Sequence, residues 1–434
     1  MVLPAFGIDD HRVEMMIEKH VDILPTGPPV GMMKMVQAPD GTIYINTQSW
    51  ASSLALLKST DNCQTWTAVP VKFSDPGMWP SQTIWAFTVT RDGRLWAVHQ
   101  PTKHVAHAGV IPTGVKTWPV DKIKPFWVSR SSDGGRTWTS TCIDFDQMAF
   151  PNEAKNPYVK VDISYSSIIE RPDGTVMFAA NMWFHRDYTR EVGGFPALFM
   201  NPDPSRRGIP YVMIRTTDGG KTWGDPTFVR QWGATETDFA VDPKDPDHIL
   251  AMSRKQRGLI PGEDKEAVYG QARAVLAWEC PFKGSQLLES NDGGRTFEEV
   301  PNAYTGFYGH RGAICWTERD VVIATYMFDP DVPRGESRPH APPSKLYVGG
   351  AISLDGGKTW VDGTRTGTTN FEESKRFVFN PEDAGATPTI EVAPNRYFTV
   401  SLFWRGTENA VKGFFWHLED ASGKMPSVPS PKPR

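Results

Sequence analysis

The sequence has 434 residues, of which 22% are charged and 12% aromatic, and its formal net charge is −4 at pH 7. No global basic field is therefore available to attract nucleic acid. No apolar run approaches the roughly 20 residues that cross a bilayer, and the first residues lack the charged and apolar regions of a signal peptide. We expect a cytoplasmic protein without nucleic-acid or membrane partners, or a secreted or periplasmic one if an export signal has been removed.

The first element that the sequence predicts is an isolated strand near the N-terminus. The stretch "HRVEMMIEKHVDIL", residues 11–24, precedes the first hairpin pattern and has no second strand beside it. Such a strand needs a partner from elsewhere in the chain. A short amphipathic helix is the alternative for the same residues.

Six segments then repeat one pattern, in which an apolar alternation, a turn and a second alternation follow one another. They are "MKMVQAPDGTIYINT", "WAFTVTRDGRLWAVH", "SIIERPDGTVMFAAN", "DFAVDPKDPDHILAMS", "GAICWTERDVVIATY" and "TIEVAPNRYFTVSL". Three of the turns contain Asp-Gly, with the glycines at Gly41, Gly93 and Gly174. Because period-2 alternation joined by such turns is typical of β-hairpins, we predict six hairpins.

A second pattern follows five of these hairpins. Its copies are "STDNCQTW" (59–66), "SSDGGRTW" (131–138), "TTDGGKTW" (216–223), "SNDGGRTF" (290–297) and "SLDGGKTW" (353–360). The shared frame is Ser/Thr-x-Asp-x-x-x-Thr-aromatic. It predicts a tight turn, because glycine permits positive φ and the aspartate can accept bonds from N–H groups of its own loop. We therefore interpret the five aspartates as structural and not catalytic.

These phrases resemble the Asp-boxes of the sialidase superfamily, which are the BNR repeats of β-propellers, and the resemblance covers nearly the whole chain. Two hairpins make a four-stranded blade, so the chain is expected to be all-β and to form a six-bladed β-propeller. The sixth blade has no Asp phrase and lacks a fourth strand, which we expect the N-terminal strand to supply, closing the ring. Residues 1–420 then form one domain, and residues 421–434 a disordered C-terminal tail.

One face of such a ring is built from the starts of the first strands and the ends of the second strands, and the Asp-boxes lie on the other face. The first of these faces is rich in arginine and histidine although the whole chain is acidic. Arginine suits a carboxylate because its guanidinium can bind it through two parallel hydrogen bonds. The predicted catalytic residues are Glu236, Tyr308, His310 and Asp383. The predicted substrate-binding residues are Arg254, Arg311, Arg405, His185, Arg186, His99 and Trp79.

The sialidase resemblance implies an arginine triad, a tyrosine nucleophile polarised by a glutamate, and an aspartate acid/base. The fourth hairpin region, "ETDFAVDPKDPDHILAMSRKQRG", resembles the segment with the glutamate and one arginine, which assigns those roles to Glu236 and Arg254. The expected Arg-Ile-Pro signature is absent from the first blade, where "GMMKMVQ" has Lys34 instead, and "EDAGATPTIE" of the last blade has no tyrosine. The third arginine of the triad has no match in "KLYVGGAISLD", and Arg311 and Arg405 are the spatial candidates for it.

Three functions are compatible with this face. The preferred one is a glycoside hydrolase that acts on an acidic sugar and needs two carboxyl groups about 5–10 Å apart. The candidates for a carboxylate partner of Glu236 are Asp162, Glu382 and Asp383. The second function is a uronate lyase, in which a histidine or tyrosine removes the proton beside a neutralised carboxylate, and the third is a glycan-binding propeller without turnover. No cofactor is predicted, and the histidines of "HQPTKHVAH" have no recognised metal-ligand spacing.

Overall fold

The structure is a computed structural model that describes residues 13–27, 30–49, 55–73, 83–100, 126–143, 148, 158–162, 166–184, 191–192, 195–196, 211–230, 234–257, 282–307, 312–328, 347–361, 368–369, 377–380, 384–385, 388–405, 408–420 and 422–426. Within these ranges every helix or strand element is a strand. The predicted all-β class is therefore confirmed.

The strands are described here in chain order as six units, one for each predicted hairpin and the strands beside it in the chain, and β1 (Val13–Gly27) precedes them. The first unit contains β2 (Val30–Gln37), β3 (Ile43–Ser49), β4 (Ala55–Ser59) and β5 (Thr67–Val69). The second follows β6 (Lys72–Phe73) and contains β7 (Thr83–Val89), β8 (Leu95–Gln100), β9 (Phe126–Ser131) and β10 (Thr137–Ile143). The third contains β11 (Tyr158–Asp162), β12 (Ser166–Glu170), β13 (Val176–Phe184), the small hairpin of β14 (Glu191–Val192) and β15 (Phe195–Pro196), then β16 (Tyr211–Thr216) and β17 (Gly224–Arg230).

The remaining three units follow in the same way. The fourth contains β18 (Ala234–Val241), β19 (Ile249–Arg257), β20 (Phe282–Ser290) and β21 (Glu298–Phe307). The fifth contains β22 (Ala313–Trp316), β23 (Val322–Phe328), β24 (Tyr347–Ser353), β25 (Trp360–Val361), β26 (Thr368–Thr369) and β27 (Phe377–Asn380). The sixth contains β28 (Ala384–Gly385), β29 (Thr389–Ala393), β30 (Arg396–Arg405) and β31 (Glu408–Asp420).

All six predicted hairpins are present. They are the antiparallel pairs β2–β3, β7–β8, β12–β13, β18–β19, β22–β23 and β29–β30. The three Asp-Gly turns have glycine at positive φ, for example 84° at Gly41. In the fifth and sixth hairpins Asp320 (φ 64°) and Asn395 (φ 57°) take this conformation, since short polar side chains tolerate the left-handed region better than most.

The N-terminal strand pairs with the last unit. β1 is antiparallel to β31, in a register that runs from Val13 opposite Asp420 to Gly27 opposite Asn409. The predicted pairing is confirmed, and the helix alternative for residues 11–24 is wrong where the structure describes them. The strand forms because one of its faces is apolar: Val21 and Ile23 are buried in a core that includes Phe415.

The five Asp-box turns share one hydrogen-bond pattern. In the second copy the Ser131 hydroxyl donates to Asp133 Oδ1 at 2.8 Å, and the Thr137 hydroxyl donates to Asp133 Oδ2 at 2.6 Å. The N–H of Thr137 also donates to Oδ1, at 2.9 Å. Equivalent hydroxyl bonds reach the other four aspartates. The interpretation of these carboxylates as turn residues agrees with this pattern, since each carboxylate accepts hydrogen bonds from residues of its own turn.

The second glycine of each glycine pair lies against a neighbouring sheet. At Gly220, on the third unit, an added Cβ would lie 2.7 Å from Trp96 of the second unit. At Gly357, on the fifth unit, it would lie 2.7 Å from Leu250 of the fourth. The first copy has no glycine pair, yet Cys63 there has a φ of 67° and is buried in a core with Phe398 of the sixth unit. The apolar core therefore lies between neighbouring sheets, and residues of the Asp-box turns pack against it.

The first strands of the units lie beside one another. β12 pairs in parallel with both β7 and β18, and packing contacts link β2 with β7, β18 with β22, β22 with β29, and β29 with β2. Because parallel strands start at the same end, the starts of β7, β12 and β18 face one side of the molecule. On the other side the box turns adjoin the hairpin turns: the N–H of Gly356 donates to the carbonyl of Asp320 at 2.8 Å.

Candidate functional site

Lys34 and Asp238 form an ion pair between strands that are not neighbours. Lys34 is on β2, the first strand of the first unit, and Asp238 is on β18, the first strand of the fourth unit. Going from β2 to β18 through the contacts between first strands, β7 and β12 lie between them in one direction, and β29 and β22 in the other. The Lys34 ammonium donates to Asp238 Oδ1, and the side chains are 14% and 1% exposed. Asp238 Oδ2 also accepts the N–H of Ile314, on β22, at 3.0 Å. One buried carboxylate therefore connects the first, fourth and fifth units.

Glu236 is the extra residue of a β-bulge. The register of β18 against β19 shifts between Thr235, opposite Arg254, and Thr237, opposite Ser253, so Glu236 is inserted between two consecutive pairs of the ladder. Its φ is 41°, in the left-handed region that residues other than glycine rarely adopt. Bulges of this kind redirect a side chain and are enriched beside active sites. The bulge therefore sets the direction of this carboxylate.

The Glu236 carboxylate is paired with Arg254 of the same hairpin. Arg254 Nη1 lies 2.7 Å from Glu236 Oε2, and the side chains are 15% and 9% exposed. Both residues lie at the end of the hairpin where the first strands start and the second strands finish. The structure places these two residues, predicted from the two ends of one hairpin, in contact with each other. Their roles toward a ligand stay predictions.

Polar side chains from neighbouring strands support both sides of the bulge. Asn181 on β13 donates from Nδ2 to the carbonyl of Ala234 at 3.2 Å. Immediately after the bulge, the Thr237 hydroxyl donates to the Ser253 hydroxyl at 2.9 Å. Thr237 and Ser253 are fully buried, and Asn181 is 2% exposed. A buried polar network that is hydrogen-bonded in this way restricts the backbone to one arrangement.

A fully buried tyrosine lies close to this network. Tyr211, on β16, is 0% exposed. Burial raises the pKa of Tyr211 to about 12, with hydrogen bonds to Ser166 and Thr237 opposing the shift and the nearby Glu236 charge adding to it. Tyr211 is thus a neutral phenol at physiological pH. Because it is fully buried, Tyr211 is not accessible to a ligand in this structure.

His99 lies in the interior of the second unit. It is on β8 with 0% exposure, and its Nε2 lies 2.5 Å from the Ser129 hydroxyl. Its ring stacks on Trp127, with centroids 6.3 Å apart. Burial lowers the pKa of His99 to about 3, so the ring is neutral. No atom of His99 is exposed for direct contact with a substrate, which was the role that the sequence predicted for it.

The other predicted site residues have no described side chain. Arg405 is the last residue of β30, and only its backbone is described. The remaining ones lie outside the described residues: Tyr308, His310, Asp383, Arg311, His185, Arg186 and Trp79. The described part of the site therefore consists of the Glu236–Arg254 pair on the fourth unit, together with the Lys34–Asp238 pair.

The residues predicted for the site do not include Asp238. Lys34 stands in the segment where the sialidase resemblance places a substrate-binding arginine, and in the structure it is paired with a buried carboxylate. A signal was present, because Asp238 is a charged residue inside the apolar alternation of a predicted inner strand. A charge at such a position requires a partner, but the sequence does not say which strand supplies it.

The described residues contain no group of three or more histidine, cysteine, aspartate or glutamate side chains that could hold a metal ion. Among the same residues no helix is long and apolar enough to span a membrane. The arrangement as described is a directed carboxylate beside a guanidinium. Such a pair can orient a polar ligand group, accept a proton or stabilise an anionic group.

The repeats are of a known kind. Residues 29–178 match the family described as the BNR repeat-like domain. This match and the folds below confirm the predicted resemblance to the sialidase-like BNR-repeat superfamily. No curated protein matches the chain.

Solved structures match most of the chain at low sequence identity. A protein of unknown function from Dyadobacter fermentans has a TM-score of 0.57 and 14% identity, over 93% of this chain and 99% of that one. An α-L-arabinofuranosidase from Fusarium graminearum, in complex with an iminosugar inhibitor, has a TM-score of 0.51 and 11% identity, over 93% and 98%. The Trypanosoma rangeli sialidase in complex with the inhibitor DANA has a TM-score of 0.51 and 10% identity, over 91% of this chain and 55% of that one. The chain thus spans about half the length of that sialidase, and at these identities the likeness shows the fold alone.

Proposed function

We propose that this protein is a glycoside hydrolase with a six-bladed β-propeller fold, acting on an acidic sugar bound at the axis of the ring. The number of blades is supported by the six hairpin units and by the contacts between successive first strands, which return from β29 to β2. In this proposal the ring closes through β1, whose pairing with β31 gives the last sheet its outer strand. The axis is then the place where the starts of all six first strands converge.

The single observation that carries the function is the Glu236–Arg254 pair. Glu236 occupies a strained bulge position, and its side chain stays slightly exposed at the axial end of its hairpin. Strained residues that the surrounding structure holds in place are concentrated at functional sites. A carboxylate held in this way can act as a base or nucleophile toward a sugar. A turn or packing role alone gives no reason for the strain.

The acidic substrate is proposed from Arg254. A guanidinium has five N–H donors on three nitrogens and can contact a second carboxylate while it remains paired with the first. Arg254 is 15% exposed, at the same end of the hairpin as Glu236. In this proposal Arg254 binds the substrate carboxylate and Glu236 keeps the guanidinium in place or acts on the sugar.

A hydrolase of this type needs a second carboxyl group about 5–10 Å from the first. Asp162 is favoured by its backbone position. It lies opposite Asn181 in the β11–β13 ladder, and Asn181 in turn bonds to the first residue of β18. Asp383 remains the alternative from the last unit. Because Asp238 is occupied by Lys34 and Ile314, we do not assign it this role.

The function is tested by assaying the purified protein on matched aryl glycosides: a sialoside, a glucuronide, and the neutral glucoside and arabinofuranoside. Uronate-containing oligosaccharides are assayed in parallel for the ultraviolet absorbance of an unsaturated product. We expect release of the aryl group from an acidic glycoside, with neutral glycosides cleaved far more slowly.

Each of three other results would contradict one part of the proposal. Preferential cleavage of a neutral glycoside would support a hydrolase but contradict the acidic substrate. Formation of an unsaturated product would identify a uronate lyase. Binding of an oligosaccharide by calorimetry, with no turnover of any substrate, would identify a glycan-binding propeller.

A further inference from the structure

Asp238 is placed to hold the strand that carries Glu236. Its carboxylate accepts the Lys34 ammonium from the first unit and the Ile314 N–H from the fifth. Lys34 is itself fixed, because its N–H donates to the Asn46 side chain at 2.8 Å. These contacts fix β18 from two other units, two residues after the bulge at Glu236.

The bulge needs external support. A glutamate at φ 41° is strained, and such a conformation persists only when its surroundings determine it. Ala234, two residues before it, is held by Asn181, and Thr237, directly after it, is held by Ser253. Further along β18, the N–H of Phe239 donates to the Ser167 hydroxyl at 2.8 Å. The Lys34–Asp238 pair is the part of this support that comes from the far side of the ring.

We propose that Lys34 and Asp238 are positioning residues that hold the Glu236 bulge in its strained conformation and so aim the carboxylate at the substrate. The role rests on the proposed function of Glu236. The pair acts through the backbone of β18, since Asp238 is 1% exposed and bonded on both oxygens. Buried ion pairs often stabilise a fold no better than apolar residues would, whereas a charge on one strand that requires a charge on another fixes their relative position.

The test compares Lys34→Met, Lys34→Arg and Asp238→Asn with the wild type. Asp238→Asn removes the charge but keeps an oxygen for the Ile314 N–H, so it also serves if Lys34→Met fails to fold. The matched control is Lys244→Met. It removes another lysine–aspartate pair, Lys244–Asp320 at 2.6 Å, which joins the turns of the fourth and fifth units on the opposite face of the ring.

For Lys34→Met and Asp238→Asn we expect kcat to fall by roughly 10- to 100-fold, because small misplacements of a catalytic group have effects of this size. KM should change little, and the pH profile of kcat should shift, since the environment of Glu236 changes. Lys34→Arg should recover most of kcat. A kcat and pH profile unchanged in both variants, or a loss of kcat that Lys244→Met reproduces, would overturn the proposal.

A crystal structure of the Asp238→Asn protein gives a readout that does not depend on activity. We expect residue 236 to leave the left-handed region or its carboxylate to turn away from Arg254. If the bulge is unchanged, the Lys34–Asp238 pair does not hold it, whatever the activity of the variant. If the wild type hydrolyses no glycoside, the proposed function fails, while the crystal structure still decides whether the pair holds the bulge.

Discussion

Arg254 and Glu236 face each other across one hairpin, with Nη1 and Oε2 2.7 Å apart, and Glu236 has a left-handed backbone conformation in this contact. An ion pair that only tied two adjacent strands together could form from a regular ladder position without this strain. The cost of such a conformation is about 1–3 kcal/mol. We therefore interpret the pair as part of a ligand site, and the predictions below test the site and the fold that carries it.

The first prediction concerns the charge preference of Arg254. Arg254→Ala should weaken transition-state binding of an acidic glycoside by about 2–4 kcal/mol, because it removes a charge-assisted contact in a partly buried site. Hydrolysis of a neutral glycoside should suffer much less. The measurement is kcat/KM on both substrates for the wild type and the variant. An equal loss on both would mean that Arg254 acts only by holding Glu236.

The second prediction concerns the glycine pair of the third Asp-box. Gly220→Ala should destabilise the protein by about 1–3 kcal/mol through overpacking, because its Cβ would lie 2.7 Å from Trp96, and the positive φ of 82° adds strain. Gly219→Ala is the control, since it has a φ of 71° and no atom within 4 Å of its Cβ. Chemical unfolding of both variants separates the two effects. Equal losses would show that the contact with the second unit contributes nothing.

The third prediction concerns the pH dependence of an Asp-box. Hydrogen bonds from Thr137, first of all from its hydroxyl, lower the pKa of Asp133 to about 2. A lowered pKa in the folded state means stability that is present above the ordinary value of about 4 and lost as the pH falls through about 2. Asp133→Asn should therefore have a lower Tm than the wild type at neutral pH, and the difference should narrow across that acid range. A difference that is independent of pH would contradict this account.

The fourth prediction concerns the joint between the N-terminal strand and the last unit. His417 on β31 contacts Glu18 of β1 at 2.9 Å and Glu419 at 2.8 Å. Partial burial opposes the charge of the imidazole, but the bonds to Glu419 and Glu18 outweigh it and raise the pKa of His417. Because the pKa is raised on folding, the stabilisation is full below about 6.5 and is lost as the pH rises through the folded value.

Hydrogen exchange of β1 is the measurement for this joint. Protection of residues 13–27 should decrease as the pH rises from about 6 to about 8, after correction for the intrinsic exchange rate. In Glu18→Gln this dependence should be smaller. Arg396 also contacts Glu18, at 2.8 Å, so Arg396→Gln is the control that perturbs Glu18 without removing the histidine contact. If Glu18→Gln leaves the pH dependence unchanged, His417 does not govern the joint.

The sequence predicted the fold more fully than the site, for a physical reason. Hairpins such as β2–β3 and the Asp-box turns are formed by residues that are close in sequence, and each pattern is contained within about 15 residues. The pairing of β1 with β31 was also predictable, because the last unit lacked a strand. The Lys34–Asp238 contact was not, since it joins residues 204 positions apart. Nor did any pattern mark the bulge at Glu236, which depends on side chains from several units.

The most direct test of the proposed site is the activity of Glu236→Gln measured per folded molecule. The variant keeps the size of the side chain and removes its charge. We predict that kcat/KM on the cleaved acidic glycoside falls by at least about 100-fold, while thermal unfolding remains cooperative with a modest change in Tm. A Tm lowered by many degrees, with activity per folded molecule equal to that of the wild type, would show that the Glu236–Arg254 pair is structural and that the site lies elsewhere.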